Sequence, residues 1–205
     1  MTQYVFRKFK ISRTCSKNFV DYTSYRSYLK EDFHHRCAYC NLLDTAITTP
    51  FEIDHYIPEK IFKDVRPELK YEYANLMYSC KKCNGAKLHQ YDGDGTCSSI
   101  VNELFYDPST VDLNNYFYRN EYGTISSDDP KGLKMINLLH LHRSIHNMAW
   151  ICEEIDQTLD RINSKLKNPS NVTPELIKSK QILSDYSLLC KQVFISNYNN
   201  SNFSL

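Results

Sequence analysis

The chain has 205 residues, of which 41% are hydrophobic, 24% charged and 13% aromatic. That is enough apolar material for one ordinary domain or two small ones with a sizeable core, and it argues against disorder. With 25 Lys and Arg against 24 Asp and Glu the net charge is +1, which excludes a polybasic protein that holds nucleic acid by bulk charge but leaves room for a local basic surface.

The N-terminus, MTQYVFRKFKISRTC, has no apolar core and no small-residue cleavage site, so a secretory signal is not expected. No run of about 18 apolar residues occurs, so no membrane-spanning helix is expected either. The expected location is the cytoplasm, where thiols stay reduced. Residues 1–35 read as a basic, Tyr-rich segment with a helix around Tyr22 to Phe33. Residues 1–40 carry 8 Lys and Arg against 3 Asp and Glu, which marks this end as the side for nucleic acid to approach.

Residues 36–91 hold the chemical motifs. Of the eight cysteines, four stand in two tight pairs, Cys37-x-x-Cys40 and Cys80-x-x-Cys83. This spacing lets two thiolates close on one ion from a tight turn, and two such knuckles complete a tetrahedral structural zinc site. A redox pair or unrelated buried cysteines are the alternatives. His34, His35, His89 and Cys97 are substitute ligands if one of the four does not bind. The 39 residues between Cys40 and Cys80 require a folded insert. Within it, Phe51 to Pro58 alternates as a strand does, and Tyr73 to Ser79 reads as a second short strand. Adjacent strand residues face opposite ways, so Asp54 and His55 converge on one site only if the strand ends or distorts there. A helix is expected to begin near Asn84-Gly-Ala-Lys87.

Residues 92–128 form a connecting region, with Asp92-Gly-Asp-Gly95 as a turn and short strands in LFYDP, YFYRN and YGTIS. Residues 129–205 are expected to be helical and antiparallel. Asp129-Pro130 starts one helix, and a bend is expected near residues 141–144 with Ser144 as a cap. An apolar stripe runs from Leu141 to Leu166, and Thr173-Pro174-Glu175 starts a last helix reaching about Phe194. Cys152 and Cys190 fit the apolar faces of these helices; Cys15 and Cys97 have no clear role. His142 and His146, four apart, read as surface histidines rather than metal ligands. The Asn- and Ser-rich residues after Ser196 are expected to fray.

The order CAYC, IDHYIP, YANLMYSCKKCNGAK resembles the HNH endonucleases of the ββα-metal class in their four-cysteine zinc-knuckle variant. The resemblance covers about a quarter of the chain. It implies an α+β fold: a ββα-metal finger braced by zinc, a short-strand region and a C-terminal antiparallel helical region. It implies His55 as general base, Asp54 and Asn84 as ligands of a catalytic Mg²⁺ or Mn²⁺, Asn75 as the residue that holds the loop, and Lys87 near the phosphate. Glu52 sits at a position that is sometimes acidic. Hard oxygen ligands at Asp54 and Asn84 suit such a cation, while Cys37, Cys40, Cys80 and Cys83 suit zinc.

The early cysteine, FYDP…YFYRNEYGTI and LLHLHR are similar to HNH nuclease subunits of Septu-type and retron-associated anti-phage systems, although that group often has Asn where His142 stands. This resemblance implies a DNA substrate and a regulatory ATPase partner, here through the C-terminal helices. The competing readings are a non-catalytic zinc-knuckle module that binds nucleic acid or protein, and a stand-alone restriction or mobile-element nuclease.

Overall fold

The computed structural model describes residues 2–45, 48, 50–93 and 102–199. Cys97, the second half of Asp92-Gly-Asp-Gly95 and the end of the Asn/Ser-rich tail lie outside them. The described part divides into two units, Met1–His142 and Arg143–Leu205. No described helix is long and apolar enough to cross a membrane.

In the first unit, strand β1 (Tyr4–Val5) is followed by a 3₁₀ turn at Tyr22–Tyr25 and helix α1 (Arg26–Asp32). The first Cys pair comes next, and then β2 (Glu52–His55), α2 (Glu59–Phe62), β3 (Leu76–Ser79) and α3 (Lys81–Lys87). Strands β4 (Tyr118–Arg119) and β5 (Ile125–Ser126) lead to α4 (Pro130–Leu138). β2 and β3 pair antiparallel, with Asp54 opposite Met77 and His55 opposite Leu76, while β1, β4 and β5 make a separate three-stranded sheet. The result is a ββα unit, β2–β3–α3, in a mixed α and β fold. Its surroundings are aromatic: Tyr25, Phe33, Phe51, Tyr56, Tyr78 and Phe105 are all nearly or fully buried. Rings supply large apolar area per residue, which suits a core built from short elements.

Arginines of the basic N-terminal end brace the backbone. Arg7 and Arg13 donate to the carbonyls of Ala38 and Leu76, Arg26 to that of Phe51, and Arg36 to that of Asn41. Short strands and knuckle turns leave many carbonyls outside any ladder, and a guanidinium fork satisfies them. Four of the eight Lys and Arg in residues 1–40 therefore brace backbone around the finger.

Two further expectations change. LFYDP is not a strand, because Asp107 Oδ1 accepts from Ser109 N at 2.8 Å and Ser109 Oγ at 2.7 Å and turns the chain there. Of Tyr73 to Ser79 only Leu76–Ser79 is extended; Tyr73–Asn75 is a 3₁₀ turn closed by Asn75 N to Glu72 O at 2.9 Å.

α4 starts as the sequence implies, with the Asp129 side chain accepting from Gly132 N at 2.7 Å and Pro130 at the first helical position. In the second unit α5 (Ser144–Leu166) and α6 (Pro174–Asn199) pack against each other, tied by Asp156 to Ser187 and Lys191, each at 2.8 Å. Arg143, not Ser144, occupies the cap position of α5, and no side chain caps it. His146 is buried rather than at the surface, while Cys152 is buried as its place on the stripe implies.

Gly132 gives a test of the α4 entry. A Cβ there would lie 2.1 Å from Ser127 Oγ and 2.9 Å from Ser127 Cβ, and that hydroxyl is held at 2.6 Å on Tyr116 O. In most helices Gly→Ala stabilises by about 0.5–1 kcal/mol. Gly132→Ala is expected instead to destabilise by about 1–3 kcal/mol in urea unfolding, the range typical of overpacking. A stabilised variant would contradict this packing.

Candidate active site

The two knuckles flank the ββα unit and meet. Asn41 N donates to Cys37 O at 3.1 Å and Cys37 N to Leu42 O at 2.9 Å, closing the first turn. Ala38 N donates to Tyr78 O at 2.8 Å and ties that turn to β3. In the second, Cys80 precedes α3 and its Sγ accepts from Cys83 N at 3.5 Å. The sulfur atoms of Cys37, Cys40, Cys80 and Cys83 all lie within 4.8 Å of one another and all four residues are buried. Cys40 and Cys80 approach to 3.8 Å, and none of the described cysteines forms a disulfide.

Burial opposes charge on the Cys37 thiol, yet hydrogen bonds from Cys40, Cys80 and Cys83 hold it well below its ordinary value. Burial and the same network push Cys40 up; the network, with burial added, does so for Cys83. Four buried sulfurs around one point, with no carboxylate or imidazole joining them among the described residues, are the donor set of a closed zinc site. The set can bind zinc. His34 and His35 are not part of it: both have positive φ, 52° and 58°, where α1 turns into the knuckle. His35 pairs with Glu31 at 3.0 Å, and the His34 ring lies 4.3 Å from that of Phe9.

β2 divides its side chains between two faces. Glu52 and Asp54 meet α3, where Asn84 Nδ2 donates to Glu52 Oε2 at 2.7 Å and Lys87 Nζ donates to Asp54 Oδ1 at 3.0 Å. Asp54 Oδ2 accepts from the hydroxyl of Tyr39, a residue inside the first knuckle. Lys87 is completely buried, and its ammonium also donates to His55 O at 2.7 Å and lies over the Phe105 ring. The lysine expected near a phosphate is thus turned inward, because the buried carboxylate of Asp54 requires a counter-charge. Burial pushes the Asp54 carboxyl up, and Lys87 and Tyr39 pull against that shift. Each Asp54 oxygen accepts one hydrogen bond, so a divalent cation bound there would share the carboxylate with Lys87 and Tyr39. Asn84 partners Glu52, not Asp54.

His55 faces the other way, at the last position of β2. Its ring lies among Tyr22 and Phe62, with centroids 4.9 and 5.7 Å away, and its Nε2 is 3.1 Å from the Lys70 carbonyl. A carbonyl only accepts, so this contact places the proton on Nε2 and leaves the Nδ1 lone pair of the neutral ring available. Burial holds the His55 pKa below its ordinary value of 6.5, which favours that neutral form. Asn75 shapes the loop supplying the carbonyl: its Oδ1 accepts from Ile57 N at 2.9 Å and its Nδ2 donates to Leu69 O at 3.1 Å and Ile57 O at 3.3 Å. One buried amide therefore clasps both ends of residues 57–69, immediately before Lys70.

The structure brings the four cysteines together, pairs Asp54 with Lys87, and joins His55 to the loop that Asn75 holds. Sequence reading missed Tyr39; an aromatic hydroxyl inside a knuckle was the one available signal.

Residues 37–90 match the family described as HNH endonuclease. This segment is similar to HNH endonuclease domains. Over 187 residues the chain is 26% identical to the Septu protein PtuB of Bacillus thuringiensis, covering 82% of this chain and 67% of that protein. No solved structure matches it. The matched HNH segment spans both knuckles, β2, β3 and α3, the elements that carry every residue described above.

The ion pair under the HNH domain is testable. Lys87→Met removes the counter-charge and leaves the Asp54 carboxyl buried. It should lower stability by about 3–5 kcal/mol in guanidinium unfolding, as for other buried pairs that lose one partner. Stability equal to the parent would mean that Lys87 is not paired inside.

Proposed function

We propose that the chain is an endonuclease that hydrolyses phosphodiester bonds of DNA, with His55 as the general base. The observation that carries this reading is His55 itself: its Nε2 lies 3.1 Å from the Lys70 carbonyl and burial favours the neutral ring, an arrangement that leaves Nδ1 to take a proton from water. Asn75 acts through the loop, as a positioning residue. Zinc at Cys37, Cys40, Cys80 and Cys83 is the structural ion of this reading, and its closed thiolate set leaves no open position for chemistry. The Mg²⁺ or Mn²⁺ implied for Asp54 and Asn84 would share the Asp54 carboxylate with Lys87 and would supply Lewis-acid stabilisation of the phosphate.

The similarity to a Septu protein supports a role in a bacterial anti-phage system, with the protein acting in the cytoplasm. A regulatory ATPase is the partner in this reading. The surface that supports it is α6, which exposes Ile177, Ile182, Tyr186, Leu188, Leu189 and Ile195. An apolar surface of this extent on one helix marks an association site.

Cleavage tests the chemistry. Plasmid and single-stranded DNA should be nicked or cut by the chain, with the ATPase added, in Mg²⁺ or Mn²⁺, and the rate should fall by at least about 100-fold in His55→Ala, the lower range of a lost general base. The neutral ring is the active form and burial lowers its pKa, so the rate should rise with pH through an inflection below 6.5 and then level off. Equal rates for the parent and His55→Ala overturn the assignment. Metal analysis of the purified protein should return zinc, and Cys80→Ser should lose it.

Association is tested separately. Leu188→Glu with Leu189→Glu should abolish co-purification with the co-expressed ATPase while the far-ultraviolet circular dichroism stays unchanged. Retained co-purification would remove α6 from the interface.

A further inference from the structure

Two guanidiniums that the nuclease chemistry does not use are buried against the first knuckle. Arg7 is 5% and Arg119 3% exposed. Arg7 follows β1 and Arg119 ends β4, and these strands pair with Tyr4 opposite Arg119. The sheet thus delivers both side chains to one place, the turn that carries Cys37 and Cys40. Arg7 donates to Ala38 O, and Arg119 donates to Cys40 O at 3.3 Å and Gly123 O at 2.6 Å. Both guanidiniums also lie over the ring of Phe6, at 5.6 and 5.9 Å.

A carbonyl needs only a donor, and a neutral amide would serve it. A charge taken out of water needs an opposite charge as well. Carbonyl dipoles and ring faces offset part of that cost, not all of it. Among the described residues no carboxylate lies within ion-pair distance of Arg7. Asp112 acts on it from beyond that distance and sits 4.0 Å from Lys10, while Arg36 adds a like charge nearby. The strongest opposing charges around Arg7 are those of the Cys37 and Cys40 sulfurs, ahead of Asp112. Burial lowers the Arg7 pKa to about 10, so the group stays cationic at neutral pH.

The sulfur cluster has the complementary need. Four thiolates around one Zn²⁺ leave two negative charges in excess, here in a buried site. Two guanidiniums cancel them. With no ion and the thiols protonated, or with the sulfurs joined as disulfides, the cluster is neutral. The same guanidiniums then stay buried with no counter-charge from it. One pair of side chains therefore favours the loaded state and disfavours the neutral ones.

We propose that Arg7 and Arg119 are the counter-charges of the zinc–thiolate cluster and make it hold its ion more tightly than the four sulfurs alone would. Both residues lie outside the matched segment 37–90, so the flanking sheet completes the metal site. The inference rests on zinc as the ion of the cluster and does not depend on cleavage.

The experiment is competition for zinc between the full chain and a chromophoric chelator of known affinity, at neutral pH. Arg7→Gln keeps a donor for Ala38 O and removes the charge, whereas Arg7→Lys keeps the charge and loses the fork. Arg7→Gln should weaken zinc binding by about 10- to 100-fold, the range for groups that support metal ligands. Tenfold corresponds to about 1.4 kcal/mol. Arg7→Lys should bind zinc at least about tenfold more tightly than Arg7→Gln. A role limited to the carbonyl makes no such difference, because both side chains donate. The proposal is overturned if a folded Arg7→Gln holds zinc as tightly as the parent, or if the Gln and Lys variants lose affinity equally. Where Arg7→Gln does not fold, Arg119→Gln and Arg119→Lys decide by the same comparison. A parent chain that holds no zinc overturns the zinc reading and this inference with it; zinc held equally by parent and variants overturns this inference alone.

Discussion

Four sulfur atoms drawn within 4.8 Å of one another fix the front of this protein. One pair lies before β2 and the other after β3, so closing the cluster joins the two ends of a segment that has little regular structure of its own. The two strands are four residues each, and α3 has seven. Such elements bury too little to hold a register alone. The cluster supplies the missing constraint, and the guanidiniums of Arg7, Arg13, Arg26 and Arg36 satisfy carbonyls left outside the ladder.

Within that frame the alternation of β2 separates two kinds of chemistry. Toward α3 it presents Glu52 and Asp54, and there the polar groups answer one another: amide to carboxylate, ammonium to carboxylate, phenol to carboxylate. On the other side the His55 ring meets the Lys70 carbonyl among aromatic rings, and burial favours its neutral form against that contact. The inward side is saturated and the outward side is not. This asymmetry explains why adjacent residues of one strand have such different consequences: burial pushes the Asp54 carboxyl up and the His55 imidazole down, in both cases toward the neutral form.

The knuckles were legible because Cys-x-x-Cys spacing is a local property, and the order of strand, loop, strand and helix followed from alternation and from the start of α3 at the second pair. The helix starts at Asp129-Pro130 and Thr173-Pro174 were legible for the same local reason, since a cap acts within a turn. What was not legible depended on distant partners. Nothing near Lys87 says that it turns inward to a carboxylate 33 residues earlier. Nothing near Arg7 says that its charge is spent on a carbonyl at Ala38. LFYDP has the aromatic content of a short strand, but Asp107 bends it through its own side chain, and Ser144 yields the cap position to Arg143. Tertiary satisfaction of polar groups overrides local pattern at each of these places.

Tyr39 lies between Cys37 and Cys40 in the chain, and its hydroxyl serves Asp54. The phenol is therefore carried on the same short turn that delivers two of the four sulfurs. The sulfur cluster and the hydrogen bond to the carboxylate paired with Lys87 therefore share one turn of the chain. Lys87 in turn holds the backbone carbonyl of His55. The cluster is thus linked to the backbone of His55 through three side chains, while the ring of the same residue is held separately by the loop that Asn75 clasps.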